Sequence, residues 1–394
     1  MEFHSQKKQK PCLLEGTTNY MMMMMIPDDV LLTNIFIRLP ARQAAKMRSL
    51  SKTWNSLLPD PSFIKSHLDR SKDEILMVFE RYFHLEKVPF TEHTITYCQT
   101  DDVPITNSVK VVHTSSISNS LYGSVNGLIC LHGNQGVKIW NPSLSALMVL
   151  PPYRFNKDIC IDIRFGFDPK TNDYKVVKLS YFDEDDLDGD LIYNWLPVEV
   201  FSLRKGCWES ITERFPPHIQ TVESTITKND VFVDGHDGRL HYLCTTANDL
   251  PTVVAFDLGD ETFSEIALPD DCFYRVNELA ILSQKLCVMS CLANGGCEVW
   301  VMENYGVATS WVKRHVVPEY KANKVIPIGF TLNNQFLFGH GMNLSLYDPE
   351  ASSFRCFKGA ALLSSNQYNE GMDPFTNSAK VVPYVDSLVW VNTL

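Results

Sequence analysis

Trp140-Asn141-Pro142-Ser143-Leu144-Ser145-Ala146-Leu147 sets an aromatic and a bulky aliphatic residue seven positions apart across an Asn-Pro-Ser break. That interval suits two strands folded back through a tight turn. It recurs with Phe201 and Trp208 across Arg204-Lys205-Gly206, Phe256 and Phe263 across Gly259-Asp260, and Tyr347 and Phe354 across Asp348-Pro349. Trp300 and Trp311 repeat the theme with four more residues, around Asn304-Tyr305-Gly306. Successive first members lie 61, 55, 44 and 47 residues apart, near the ~40 to 50 residues of a propeller blade. Five such hairpins make repetition the organising feature of residues 73 to 394.

Working outward, a strand-like run precedes each hairpin: Gly127 to Cys130, Asp173 to Lys178, Arg239 to Tyr242, Lys285 to Val288 and Gln335 to Phe338. Each blade is therefore expected to place an inner strand before its outer hairpin. Asp386 to Val391 reads as one more inner strand with no hairpin after it, and an unpaired edge there would invite aggregation. The early strand-like runs, Ile75 to Phe79, Thr94 to Cys98 and Val109 to His113, are placed to complete that blade. The expectation is an all-β propeller of about six blades, sealed by N-terminal strands beside the C-terminus.

Residues 26 to 70 read differently, as short helices with explicit stops. Asp28 and Asp29 follow Pro27, Pro40 ends the first run, Ser51 can cap another, and Pro59 to Pro61 stops that one. At ~100° per residue, the apolar residues Val30, Leu31, Leu32, Ile35, Phe36, Ile37 and Leu39 wrap most of the way round the first helix. Such a helix must be covered on every side, and a unit of about 45 residues has few helices to do it. The cover is either the rest of this chain or a separate subunit. The fold class is thus α+β multidomain, a small helical unit followed by the propeller-like domain. Residues 1 to 25, with the run Met21 to Met25, read as a disordered leader.

Composition narrows the function classes. With 46 acidic against 35 basic side chains and a net charge of −11, the chain lacks the clustered Lys and Arg that draw proteins to phosphate backbones, so no nucleic-acid partner is expected. No run approaches the ~20 apolar residues of a membrane helix, and no membrane partner is expected. Eleven cysteines, an odd number scattered along the chain, disfavour a disulfide framework. The expected location is cytoplasmic or nuclear.

The order Ile26-Pro27-Asp28-Asp29-Val30-Leu31, Ile35-Phe36-Ile37-Arg38-Leu39-Pro40, Leu50-Ser51-Lys52-Thr53-Trp54 and Asp60-Pro61-Ser62-Phe63-Ile64 resembles the F-box along its full length. That resemblance implies that the first helices insert apolar side chains into a groove on a Skp-family adaptor, itself bound to a cullin. By matching positions it makes Pro27, Leu31, Ile35, Leu39, Pro40, Leu50 and Trp54 the adaptor contacts or the packing directly behind them. Ile26 stands where the family usually has Leu, which conserves volume. Ala44 and Ala45 stand where larger apolar residues are common, which implies a lowered adaptor affinity. Downstream, Gly123-Ser124-Val125-Asn126-Gly127-Leu128, Trp140-Asn141-Pro142, Phe165-Gly166-Phe167-Asp168 and Val299-Trp300-Val301-Met302 look like the F-box-associated domain of plant F-box proteins, a family that includes the pollen S-locus F-box proteins. The two resemblances together imply the receptor subunit of a ubiquitin ligase with an unidentified protein substrate.

Rival chemistry finds little footing. Aligning the acid run Asp183 to Asp190 on a calcium loop puts Trp195 where a bidentate Glu is required, so a solvated acidic loop is expected, one that favours a basic substrate. Cys287, Cys291 and Cys297 have the spacing C-x3-C-x5-C with no fourth ligand nearby, unlike a zinc knuckle. His236 between Asp234 and Asp237 reads as a turn. No phosphate-binding, zincin or nucleophile-elbow motif occurs. No catalytic, metal or cofactor-binding residue is therefore assigned, and no enzyme activity or cofactor is expected. Substrate is expected on loops such as Asp183 to Asp190 or Pro216 to Thr225, with no contact residue named. Two other readings stay open: a propeller that binds sugars or small molecules, and an adaptor-bound regulator that does not ubiquitylate.

Overall fold

Runs rich in Val, Ile, Phe and Tyr, cut by Asp, Asn, Ser and Gly, suit half-buried strands joined by tight turns, and among the described residues they form six sheets. The computed structural model describes residues 27–71, 75–81, 95–97, 109–114, 120–133, 136–153, 160–185, 191–211, 215–222, 237–273, 277–319, 325–330, 334–340, 343–356 and 380–391. The leader with Met21 to Met25, the acid tip Asp186 to Asp190, residues 223–225 and His236 lie outside the described residues.

Five blades follow one another along the chain, each starting from four antiparallel strands. Blade 1 runs from Ser120–Val125 to Ala146–Val149, blade 2 from Cys160–Asp168 to Cys207–Ser210, blade 3 from Ile219–Val222 to Thr262–Ala267, blade 4 from Asn277–Leu282 to Trp311–Val317, and blade 5 from Ile326–Phe330 to Ser353–Cys356. In blade 2 the long strand Asp173–Asp185 also pairs with Leu191–Trp195. The sixth, closing sheet is composite, in the order Ile95–Tyr97, Val109–Thr114, Ile75–Arg81, Lys380–Tyr384. The early strands thus meet a late one, but it is Lys380–Tyr384 and not the expected Asp386 to Val391, with Ile75 opposite Tyr384.

Four of the five aromatic pairs are direct cross-strand neighbours: Trp140 with Leu147, Phe201 with Trp208, Phe256 with Phe263 and Tyr347 with Phe354. One turn, repeated, sets that register. Its first residue is Asn141, Ser202, Asp257 or Asp348, whose side-chain oxygen accepts a backbone N–H two or three residues on. The turn closes on a residue in the left-handed region, Ser145, Gly206, Glu261 or Ser352, a conformation that a local side-chain clamp stabilises. The same clamp closes the first turn of blade 2, where Asp168 accepts from the Lys170 N–H at 2.9 Å and from the Thr171 hydroxyl.

The fifth pair departs from expectation. Trp300 lies opposite Lys313, and Met302 lies opposite Trp311. The longer loop between Met302 and Trp311, with its 3-10 turn at Ala308–Ser310, closes the hairpin on that pair and so sets Trp300 two positions further from the turn; a bulge between Val299 and Trp300 lies beyond it. The strand-like runs are also second strands rather than innermost ones, because Ser120–Val125, Ile219–Val222, Asn277–Leu282 and Ile326–Phe330 precede them within their sheets. Three of those four first strands carry register breaks against their neighbours, which blur the alternation that would have shown them.

Between neighbouring blades the sheets bury continuous apolar faces, for example Leu128, Ile139 and Met148 of blade 1 against Ile163, Phe165 and Val176 of blade 2. Outer tryptophans tie adjacent blades. The Trp208 indole N–H donates to the Pro151 carbonyl at 2.8 Å and that of Trp311 to the Ala267 carbonyl at 2.9 Å.

Asp386 to Val391 is not a strand: among the described residues the last strand is Lys380–Tyr384, and the next seven residues form a strap without regular secondary structure. The Asn141 side-chain amide takes the carbonyls of Ser387 and Val389, at 3.1 and 2.8 Å. The alternation that reads as a strand is that of a ribbon between two bodies. Val389 and Val391 enter the core between blades 1 and 2, and Leu388 faces the helical unit. Gly127, at φ +77, must be glycine here, since a Cβ would sit 2.3 Å from that of Ser387.

Candidate docking site on the helical unit

The helical unit opens with Asp28–Val30, passes through a π-turn at Leu31–Ile35 and ends in a 3-10 turn at Phe36–Arg38. The first helix is therefore continuous but irregular. Two local causes are visible: the Thr33 hydroxyl donates to the Asp29 carbonyl at 2.7 Å, competing with the backbone ladder, and Phe36 N–H is shared between the carbonyls of Leu31 and Leu32. Three regular helices follow, Ala41–Met47, Lys52–Leu57 and Pro61–Arg70. The last starts at Pro61, with Asp60 as its cap accepting from Ser62 N–H. The Ser62 hydroxyl and N–H hold the Asp60 carboxyl below its ordinary range. Ser51 takes the cap position of Lys52–Leu57, but its side chain makes no capping bond.

One face of this unit is closed by its own propeller. Ala41 and Ala44 are fully buried against Leu388 of the strap, with Leu39, Ala45, Phe63, Ile64 and Leu144 packed around them. The Ala41 N–H donates to the Asp386 carboxylate at 2.6 Å, and the Arg48 guanidinium lies 4.1 Å over the Trp390 ring. Asp386 is held in turn by the Ser143 hydroxyl, which also meets the Tyr384 phenol. Inside the unit, buried His67 bonds the Leu39 carbonyl through Nε2 at 2.9 Å.

Other apolar side chains of the unit are left exposed. Val30 is 38% exposed, Ile35 42%, Leu50 67% and Leu57 37%. Of the residues singled out by sequence, Pro27, Ile35, Pro40 and Leu50 are exposed, and Leu31, Leu39 and Trp54 are half-buried. Trp54 works as a brace: its indole N–H donates to Asp28 at 2.8 Å, and its ring meets Phe36 edge-on at 4.8 Å. Leu39 belongs partly to the closed face, through its contact with the alanine and Leu388 cluster. Ala44 lies wholly on the closed face, so the room left by Leu388 sets its size. Sequence reasoning missed the strap residues Asp386, Leu388 and Trp390. No signal in the sequence marks them, since Asn141 and Gly127 read as ordinary turn residues.

The unit sits at one definite end of the propeller. Asn126, in the first turn of blade 1, bonds the Tyr174 phenol at 3.2 Å, so the start of Asp173–Asp185 lies at the same end as the Asn141 turn that holds the strap. The acidic far end of that strand, where Asp183, Glu184 and Asp185 pair with Tyr193, Ile192 and Leu191, lies at the opposite end.

The chain thus joins a propeller of six described sheets to a small helical unit that leaves apolar side chains exposed. Residues 24–66 match the F-box domain, and residues 74–370 match the F-box associated beta propeller domain. Among similar proteins, the F-box protein CPR1 of Arabidopsis thaliana is 28% identical over 329 residues, covering 76% of this chain and 74% of that one. The F-box protein At3g07870 of Arabidopsis thaliana is 26% identical, covering 78% and 75%, and the F-box/kelch-repeat protein At3g23880 of the same plant is 21% identical, covering 73% and 78%. The chain belongs to the plant F-box proteins that carry an F-box associated β-propeller domain.

Proposed function

We propose that this chain is the substrate-recognition subunit of a Skp-cullin-F-box type ubiquitin ligase, acting in the cytoplasm or nucleus. A Skp-family adaptor, bound to a cullin, covers the outer face of the helical unit through Pro27, Leu31, Ile35, Leu39, Pro40 and Leu50, with Trp54 bracing that face from behind. The propeller holds a protein substrate at the end away from the helical unit and delivers it for ubiquitylation and degradation. This chain makes and breaks no bonds; it raises the local concentration of substrate around a ubiquitin carried by a partner.

One observation carries the reading. The strap and blade 1 pack against the helical unit, yet Val30, Ile35, Leu50 and Leu57 are left exposed on it, and several exposed large apolar side chains on so small a unit suit an interaction surface. The test is co-purification with a Skp-family adaptor. Leu50→Asp and Ile35→Asp change exposed positions, so the fold should survive while capture weakens by roughly 100-fold or more, the scale of a lost apolar anchor. Undiminished capture by both folded variants would sink the proposal.

A further inference from the structure

The turn Leu292 to Gly296, between the second and third strands of blade 4, is flanked by two thiols. Cys291 and Cys297 are direct cross-strand neighbours, and neither is in a disulfide in this structure. The Leu292 N–H donates to the Gly296 carbonyl at 2.8 Å, which makes Leu292 and Gly296 a hydrogen-bonded pair. Antiparallel ladders alternate, so Cys291 and Cys297 form the next, non-hydrogen-bonded pair, whose Cα atoms lie ~4.5 Å apart with both side chains on one face. That separation falls inside the range a disulfide spans.

The two sulfurs differ in setting. Cys297 is buried in the core that blade 4 shares with blade 5, beside Met289 and Val299. Cys291, at the end of its strand, is half-exposed. Burial pushes the Cys297 thiol well up, with Cys291 and Glu298 adding to the effect; Cys291, the less buried of the two sulfurs, is the one an oxidant arriving from solvent meets first. The turn itself has little freedom. Gly295 O accepts from the Val325 N–H at 3.0 Å, and a Cβ at Gly296 would stand 2.6 Å from the Val317 carbonyl. The two strand ends are thus held in register by contacts outside the turn as well as within it.

We propose that Cys291 and Cys297 are an oxidative-modification site that a peroxide converts to a cross-strand disulfide. The Cys291 sulfur attacks one peroxide oxygen, the O–O bond breaks, and a sulfenic acid and water are formed. The Cys297 sulfur then displaces the sulfenic oxygen, which leaves as a second water with the thiol proton. Two thiols and one hydrogen peroxide give one disulfide and two waters; the two electrons go to the O–O bond. The bond closes the Leu292 to Gly296 turn at the end of the propeller away from the helical unit, and it is independent of any partner.

The experiment treats the full-length protein with hydrogen peroxide, blocks remaining thiols by alkylation and sequences the peptides by mass spectrometry. The peptide from Leu286 to Lys313 holds Cys287, Cys291 and Cys297. It should lose two alkyl groups, mapped to Cys291 and Cys297, and regain both after dithiothreitol. The oxidised protein should unfold roughly 2 to 4 °C higher. Cys291→Ser should abolish the mass change and the thermal shift, and Cys272→Ser should leave both intact. Overoxidation of Cys291 with Cys297 still alkylated, or a bridge from either residue to Cys272 or Cys287, would overturn the proposal.

Discussion

The helical unit and the propeller solve one problem in opposite ways. Each blade presents two apolar faces, and stacking in sequence gives both faces a neighbour from the same chain, as Ile163 and Phe165 on one side of blade 2 and Leu179 and Val200 on the other illustrate. The helical unit also carries apolar residues on two sides, but it meets its own chain on one side only, where Ala41 and Ala44 receive Leu388. Burial of an apolar side chain is favourable wherever the partner comes from. The apolar side chains left exposed on the helical unit are the ones that the proposed adaptor would cover.

The contrast can be broken at its seam. Leu388→Asp puts a carboxylate into the fully buried contact between strap and helical unit. It should cost about 3 to 5 kcal/mol in urea unfolding, with the helical unit exchanging its amide hydrogens before the propeller does. A loss under about 1 kcal/mol would mean that the seat is incidental.

Inside the propeller the repeated turn should be the sensitive element. Burial pushes the Asp168 carboxyl up, but the Thr171 hydroxyl, the Lys170 N–H and the Lys175 ammonium outweigh it and hold the group below its ordinary range. A carboxyl whose folded value lies below its unfolded one adds stability that is complete above the unfolded pKa, near ~3.9, and is lost as pH falls through the folded value. Asp168→Ala should cost about 2 to 4 kcal/mol at pH 7. It should also flatten the acid side of the stability curve below pH ~4, followed by thermal melting from pH 7 to 2.

The smallest effect separates the two faces of the helical unit. Ala44→Leu overfills the socket of Leu388 and should cost about 1 to 3 kcal/mol in chemical unfolding. Adaptor capture should stay unchanged, because position 44 faces inward. Tighter capture by this variant would place residue 44 on the outer face after all and blur the division.

How much of this was legible follows the range of the interactions. The cross-strand pairs Phe201 with Trp208 and Phe256 with Phe263 were readable because partners seven residues apart meet through a turn whose chemistry, a Ser or Asp clamp and a left-handed closing residue, is written between them. Trp300 and Trp311 misled because the longer loop closes on Met302 and Trp311, and the composition of a longer loop does not state which pair it closes on. The apolar first helix was visible, and so was its need for cover. The strap was not, because Asn141 meets the carbonyl of Ser387 across 246 positions and nothing local announces such a meeting.

Alone, the order of residues determined the repeated hairpins, the helical unit before them and the use of early strands in a closing sheet, though not the late strand Lys380–Tyr384 that they meet, since these rest on period, turn chemistry and the cost of a bare edge. Tertiary structure decided which side of the helical unit is spent within the molecule and which is left open. Periodicity counts how much apolar surface a helix has; only the position of Leu388 against Ala41 and Ala44 shows where that surface is already covered.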